Sequence, residues 1–262
     1  METEAHVYAL AISASVLLAF FPFLMVMLAI FRDVLHWPRA INFISIAIRD
    51  VFPGNSGGFL AQNLAAWSWK VPRLPVTSVL LLLITSNGIF EPLEVALNRA
   101  WGVARNRPYW KNQLISLGMV FACGTLVLLS LLFTAYGHGW VAGWAGKGQL
   151  AAWLTVLLFK AAAVPVSIFV LFLVYWLLPN RKVDPMDVMP AAIWVGLGLE
   201  ALKYVNLLVR PFLVEKLANE YYVFQYSATI VLGSFVASLV VLAGGEFAAR
   251  GARDPQAAQE CA

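Results

Sequence analysis

Asn87, Glu91, Glu94 and Asn98 follow one another at intervals of four, three and four residues, the spacing that stacks side chains on one face of an α-helix. Two carboxylates and two amides on one stripe suit the mouth of a hydrated cavity, and they suit equally a clamp holding their helix to a neighbour. The stripe runs into Arg99, and Arg105 and Arg107 follow; three guanidinium groups beside an apolar segment can attract anionic headgroups electrostatically. Further along, Glu200 and Lys203 stand three residues apart and Asn206 continues their face. They can neutralise one another as a structural ion pair, or they can line a hydrated path or hold a headgroup. Lys160 precedes Pro165 by five residues, where a proline frees a backbone carbonyl; a lysine there either snorkels to the interface or meets a substrate.

Catalytic chemistry has no comparable constellation. His6, His36 and His138 are isolated, without an acidic or cysteine companion at metal-ligand spacing. Cys123 lies in an apolar run and Cys261 at the tail, an arrangement that suits neither a disulfide framework nor a metal pair. Around Lys147 a phosphate loop is incomplete, because Val141 stands where its first glycine is needed and Gly148 where Ser or Thr should hold magnesium. No catalytic residue, metal or cofactor is expected.

The elements that must position these residues are membrane spans. Of the 262 residues 61% are apolar and only 12% charged, with a mean hydropathy of +0.77, whereas a soluble domain coats itself with roughly 25% charged residues. Lipid must solvate much of the chain. The net charge of +4 resides between apolar runs rather than on one face, the pattern of loops at an anionic membrane surface; nucleic acid is not an expected partner.

A span needs about 20 predominantly apolar residues, and six stretches qualify: residues 7–31, 76–93, 114–136, 154–178, 188–209 and 221–248. The fold class is therefore all-α, a polytopic bundle of six transmembrane helices forming one membrane domain over 1–249, with a short disordered tail at 250–262. Glu2 and Glu4 precede the first apolar run, which exceeds signal-peptide length and lacks a small-x-small cleavage site, so it reads as a retained span. The long connection 32–75 carries Asn42, Ser45 and Arg49 along one helical stripe among isoleucine and phenylalanine, as in a helix lying in the interface. Pro53-Gly54-Asn55-Ser56-Gly57-Gly58 breaks that pattern, and residues 59–69 suit a second such helix; a reentrant or loop segment packed on the bundle is the other reading. Gly233, Ser234, Ala237 and Ser238 give the last span a small-residue face for close helix packing.

Seven tryptophans (Trp101, Trp110, Trp140, Trp144, Trp153, Trp176 and Trp194) fall near span ends, where indole favours the headgroup level. Lys and Arg balance between the two sides, but short loops weigh most, and Arg99, Arg105, Arg107 and Lys111 after the second span outweigh Lys147 after the third. Both termini are expected in the cytoplasm.

Three segments together resemble the YihY/BrkB family of bacterial inner-membrane proteins, a group formerly labelled ribonuclease BN. They are Leu18-Ala19-Phe20-Phe21-Pro22-Phe23; Ala96-Leu97-Asn98-Arg99-Ala100-Trp101-Gly102-Val103 followed by Arg107-Pro108-Tyr109-Trp110; and Tyr175-Trp176-Leu177-Leu178-Pro179-Asn180-Arg181-Lys182-Val183 followed by Pro190, Glu200, Lys203 and Gly244-Gly245-Glu246-Phe247. Two departures stand out: the family's longer segment before the first span is nearly absent, and its Tyr-Gly-Ser step reads Gln225-Tyr226-Ser227. The resemblance implies a six-helix inner-membrane protein suspected of moving lipids, lipopolysaccharide precursors or other amphipathic cargo. The ribonuclease label finds no support, since RNA cleavage calls for paired acids or histidines on a basic surface.

Two functional readings follow. In the first, a transporter or flippase-like protein takes an amphipathic anionic cargo, Arg99, Arg105 and Arg107 attract its headgroup, and Lys160, Glu200 and Lys203 line the route. Its partners are membrane lipids and, as no ATP-binding motif is present, an ion gradient or energising ATPase. In the second, the same charges are interhelical glue in a scaffold that recruits an envelope-protein partner. A lipid-modifying enzyme would instead need Glu91, Glu94 and a histidine to converge on one cavity.

Overall fold

A computed structural model describes residues 2–36, 44–45, 58, 62–63, 66, 76–103, 107–144, 164–221 and 224–260. The described chain is helical, with no strand among the described residues. Helix α1 (Glu2–Ala29) continues into a π-helical turn (Ile30–Val34), and α2 spans Val76–Ala100. Helix α3 runs over Tyr109–Trp144 and α4 over Val164–Leu177, followed by α5 (Pro185–Tyr221) and α6 (Gln225–Glu260).

Among the described residues four helical windows are long and apolar enough to cross a membrane: Glu4–Val34, Val76–Ala100, Pro185–Leu202 and Ser227–Ala252. Their outward faces are apolar. Val7, Leu18, Leu80, Ile84, Trp194 and Val236 are all exposed, whereas Ser13, Ser86, Glu94, Asn98 and Ser238 are buried. An apolar exterior around polar interior groups is the arrangement that lipid solvation favours.

Helix boundaries follow local chemistry rather than the apolar runs alone. The second helix continues beyond residue 93 to Ala100 because its polar last turns find partners, described below. Pro108 accepts the first amides of α3, from Lys111 and Asn112, so that helix starts before residue 114. Asp184 caps α5, its Oδ1 accepting the Met186 amide at 3.1 Å, with Pro185 in the first helical position where a missing N–H costs nothing. The fifth helix ends at Tyr221 and α6 begins only at Gln225, so the last span starts later than residue 221. Helix α6 continues through Glu260, over residues for which the sequence suggests a disordered tail; Ala252, Ala257 and Ala258 favour helix there, and Arg250 pairs with Glu246 one turn earlier at 2.6 Å. The interfacial-helix pattern over residues 41–52 and 59–69, and the first part of the 154–178 span, lie outside the described residues apart from isolated positions.

The chain packs as two compact units, one of Met1–Leu18, Ile84–Ala122 and Ser167–Ala262, the other of Ala19–Leu83 and Cys123–Val166. In the second, Leu24, Val26, Met27, Leu28, Phe31 and Leu82 are buried, the Phe23 ring lies against Gly124, and Arg32 meets Asp33 with two hydrogen bonds of 2.6 and 2.8 Å.

The first unit is organised around α6. His6 of α1 stacks on Phe235 with ring centroids 6.4 Å apart. The fully buried Tyr175 of α4 donates its hydroxyl to the Val241 carbonyl at 2.7 Å. One turn later, a Cβ on Gly244 would collide with the Val195 side chain and lie 2.6 Å from the Tyr175 hydroxyl, while one on Gly245 would collide with Leu97. The glycine pair therefore lets α2, α4 and α5 all approach the same turn of α6. Gly244→Ala is expected to destabilise the protein by about 1–3 kcal/mol, the usual cost of overpacking a filled core, read as a lower unfolding midpoint in detergent.

Candidate functional site

The polar chemistry at the end of α2 begins with a helix cap. Gly102 has φ = 70°, a left-handed conformation that glycine adopts without steric cost. Its amide donates to the Arg99 carbonyl at 3.1 Å and the Val103 amide to the Asn98 carbonyl at 2.7 Å, the paired bonds of a Schellman motif. Beyond the cap, Arg107 stands 3.9 Å from Glu94 of the same helix.

Arg107 then gathers three successive carbonyls where α4 ends. Nη1 donates to Leu178 at 2.9 Å, and Nη2 to Leu177 at 3.1 Å and Pro179 at 3.0 Å. A helix C-terminus carries carbonyls without intrahelical partners and a partial negative charge, and a planar guanidinium answers both. Asn98 completes the junction by accepting the Asn180 amide at 2.7 Å. Arg181 crosses in the opposite direction, donating to the Trp101 carbonyl at 3.0 Å while its guanidinium lies 5.5 Å above the Trp101 ring. Trp101 is thus a buried stacking platform rather than a headgroup-level border residue, unlike the exposed Trp110 and Trp194.

Glu94 lies beneath this junction, 1% exposed. Its Oε1 accepts from Asn98 Nδ2 at 3.4 Å and is 3.9 Å from Arg107 Nη1, whereas its Oε2 is buried without a hydrogen-bond partner, as are Asn112 Oδ1 and Ser116 Oγ. One turn up the same stripe, Asn87 donates to Glu91 at 2.7 Å. The four-residue stripe therefore divides: Asn87 and Glu91 pair with one another, and Glu94 and Asn98 serve the clamp.

A cavity of about 790 Å3 opens among α1, α2 and α6 at the ends that lie together. Ala5, Ala96, Leu97, Leu239, Leu242 and Ala243 form its apolar lining, Tyr8 adds a phenol, and Glu4, Arg99, Glu246 and Arg250 supply its charges. Arg99 pairs with Glu4 across α1 and α2, and both side chains are about half exposed. Arg250 pairs with Glu246 at 2.6 Å along α6. A second hollow of about 470 Å3 beside the clamp is lined by Arg107, Pro108, Lys111, Leu114, Ile115 and Asn180.

Elsewhere Glu200 is buried and accepts the Ser167 hydroxyl of α4 at 2.7 Å. Lys203 and Asn206 lie on α5 with Glu200, their side chains outside the described residues, and Lys160 and Arg105 lie wholly outside them. The run Gly54-Asn55-Ser56-Gly57-Gly58 has the Gly-x-Ser-x-Gly spacing of a nucleophile elbow, but the sequence before it has no strand pattern and the run, apart from Gly58, lies outside the described residues. Glu4, Glu246 and Arg250 are cavity residues that spacing analysis missed. The signal was present: Glu246 and Arg250 are four apart at the end of an apolar run, in the order that favours a helical ion pair.

Several membrane-length helices with an apolar exterior, joined by polar junctions and enclosing a charged-rim cavity, define a multi-pass helical membrane protein. The sequence matches the family model described as Virulence factor BrkB over residues 1–261, and the chain belongs to that family. A UPF0761 membrane protein of Acinetobacter baylyi is 26% identical over 204 residues, covering 74% of this chain and 46% of its own. One from Actinobacillus pleuropneumoniae is 25% identical over 192 residues, covering 71% and 68% respectively. One from Chromobacterium violaceum is 24% identical over 209 residues, covering 79% and 48%. The chain thus spans about half the length of the Acinetobacter and Chromobacterium relatives. No solved structure matches the chain.

Replacing Arg107 strands three carbonyls and removes the cation nearest a buried carboxylate. Arg107→Ala is expected to lower stability by about 3 kcal/mol or more, given that a stranded buried polar group costs roughly 1–3 kcal/mol. Arg99→Ala, which removes a half-exposed ion pair, should cost no more than about 1 kcal/mol. Denaturant unfolding in detergent micelles checks the ranking, and Arg107→Lys should recover only part of the loss because an ammonium lacks the planar fork.

Proposed function

We propose that the protein is a transporter or flippase-like protein of the bacterial inner membrane that carries a lipid or another amphipathic, phosphate-bearing cargo, with the cavity among α1, α2 and α6 as its binding place. The observation that carries the reading is the cavity's composition: an apolar lining between membrane helices, with the charges among its described residues confined to Glu4, Arg99, Glu246 and Arg250. Apolar pockets with a few convergent polar groups are the usual form of a small-molecule site, and the two arginines supply the contacts an anionic headgroup needs. The cavity joins the start of α1 to the ends of α2 and α6, the side assigned to the cytoplasm by the basic residues after α2. On this reading the protein is not an enzyme, membrane lipids are its partners, and directional movement draws on an ion gradient or an energising ATPase.

The scaffold reading has its own support in the clamp. Arg107 directs its donors at protein carbonyls, Asn98 accepts a backbone amide, and Glu200 accepts from Ser167, so these residues act as interhelical glue.

Transbilayer movement of a fluorescent phospholipid in liposomes tests the first reading. Purified protein should accelerate exchange over empty liposomes. An Arg99→Gln plus Arg250→Gln variant that keeps its unfolding midpoint should lose about tenfold of that acceleration, equivalent to about 1.4 kcal/mol of headgroup contact. A Glu200→Gln plus Lys203→Met variant separates the other expected route residues. No acceleration by wild-type protein would sink lipid movement by this protein alone and leave the scaffold reading.

A further inference from the structure

We propose that the α1–α2–α6 cavity selects a phospholipid whose headgroup carries both a phosphate and a primary ammonium, as phosphatidylethanolamine does; this rests on the cargo reading above and specifies its chemistry. The lining carries two arginines and two glutamates, so its formal charge is balanced and no net positive field favours a purely anionic head. A headgroup with separated opposite charges meets a complementary partner at each end. Its phosphate replaces a carboxylate opposite Arg99 or Arg250, and its ammonium replaces a guanidinium opposite Glu4 or Glu246. A net-negative head would satisfy the arginines and leave the displaced carboxylates facing like charge.

Such an exchange is accessible because the pairs are weakly held. Arg99 is 52% and Glu4 49% exposed, and Arg250 is 75% and Glu246 30% exposed; ion pairs near the surface contribute about 0–1 kcal/mol each. A ligand that offers replacement charges therefore has little to break. Primary rather than quaternary ammonium follows from the acceptors. Two carboxylates take hydrogen bonds from an NH3+ group, whereas a quaternary ammonium is recognised by a cage of aromatic faces, and Tyr8 is the one aromatic residue among the described residues of this lining. Ala5, Ala96, Leu239, Leu242 and Ala243 then offer an apolar surface to the glycerol end and first methylenes.

Equilibrium binding of radiolabelled dihexanoyl-phosphatidylethanolamine to the full chain in detergent tests the proposal, with the phosphatidylglycerol and phosphatidylcholine analogues as competitors. The ethanolamine lipid is expected to bind at least about tenfold more tightly than either competitor, a difference of about 1.4 kcal/mol. Glu4→Gln plus Glu246→Gln should abolish that preference while phosphatidylglycerol binds as well or better; Arg99→Gln plus Arg250→Gln should weaken all three lipids. Ala243→Trp, which fills the exposed lining and leaves every charge in place, should block binding with the unfolding midpoint kept. Equal or tighter binding of phosphatidylglycerol to wild-type protein, or a preference that survives loss of both glutamates, overturns the headgroup assignment. Phosphatidylglycerol binding that equals or exceeds that of the ethanolamine lipid and depends on the two arginines would leave the amphipathic-cargo reading intact; no cavity-dependent binding of any lipid would overturn both.

Discussion

One guanidinium holds the polar end of the first unit together. Arg107 serves the carbonyls of Leu177, Leu178 and Pro179 at once and stands 3.9 Å from the buried Glu94. The Asn98 side chain accepts the amide that follows, and Arg181 returns the connection by binding the Trp101 carbonyl. Backbone groups that leave a helix near lipid must be satisfied inside the protein, and here two loops satisfy each other. The Gly102 cap closes α2 by giving the Arg99 and Asn98 carbonyls backbone partners.

Charge has two distinct uses in this unit, and burial separates them. Glu94, Asn98 and Glu200 are buried among helices and meet partners from other elements; groups so placed fix how helices pack. Glu4, Arg99, Glu246 and Arg250 stand at the cavity with substantial exposure, paired loosely enough to change partners. Lipid-facing leucine, phenylalanine and tryptophan surround both sets.

Much of the frame was legible in the sequence. The apolar runs locate α1, α2 and the middle of α5 and α6, because lipid solvation writes itself as a long continuous pattern. The stretch from Asn98 to Trp110 was legible as a motif, and the spacing of Asn87, Glu91, Glu94 and Asn98 as a stripe. What the stripe touches was not legible, since Arg107 meets carbonyls some 70 residues away and backbone acceptors leave no trace in side-chain type. Trp101 shows the same limit: its position near a helix end suggested the headgroup level, but a guanidinium above its ring and burial of its side chain give it an interior role. The glutamates of the cavity were obscured because acids at helix ends ordinarily meet water, and only the meeting of α1 with α2 and α6 gives them a shared surface.

The clamp also orders events during synthesis. The ribosome releases Arg107 well before the Leu178 carbonyl, 71 positions later in the chain, so α2 and α3 enter the bilayer with their connecting cation uncommitted. Until α4 arrives, Glu94 is the countercharge within reach. The end of α2 then matures only when α4 has been made, which ties the assembly of the early helices to the completion of a later one.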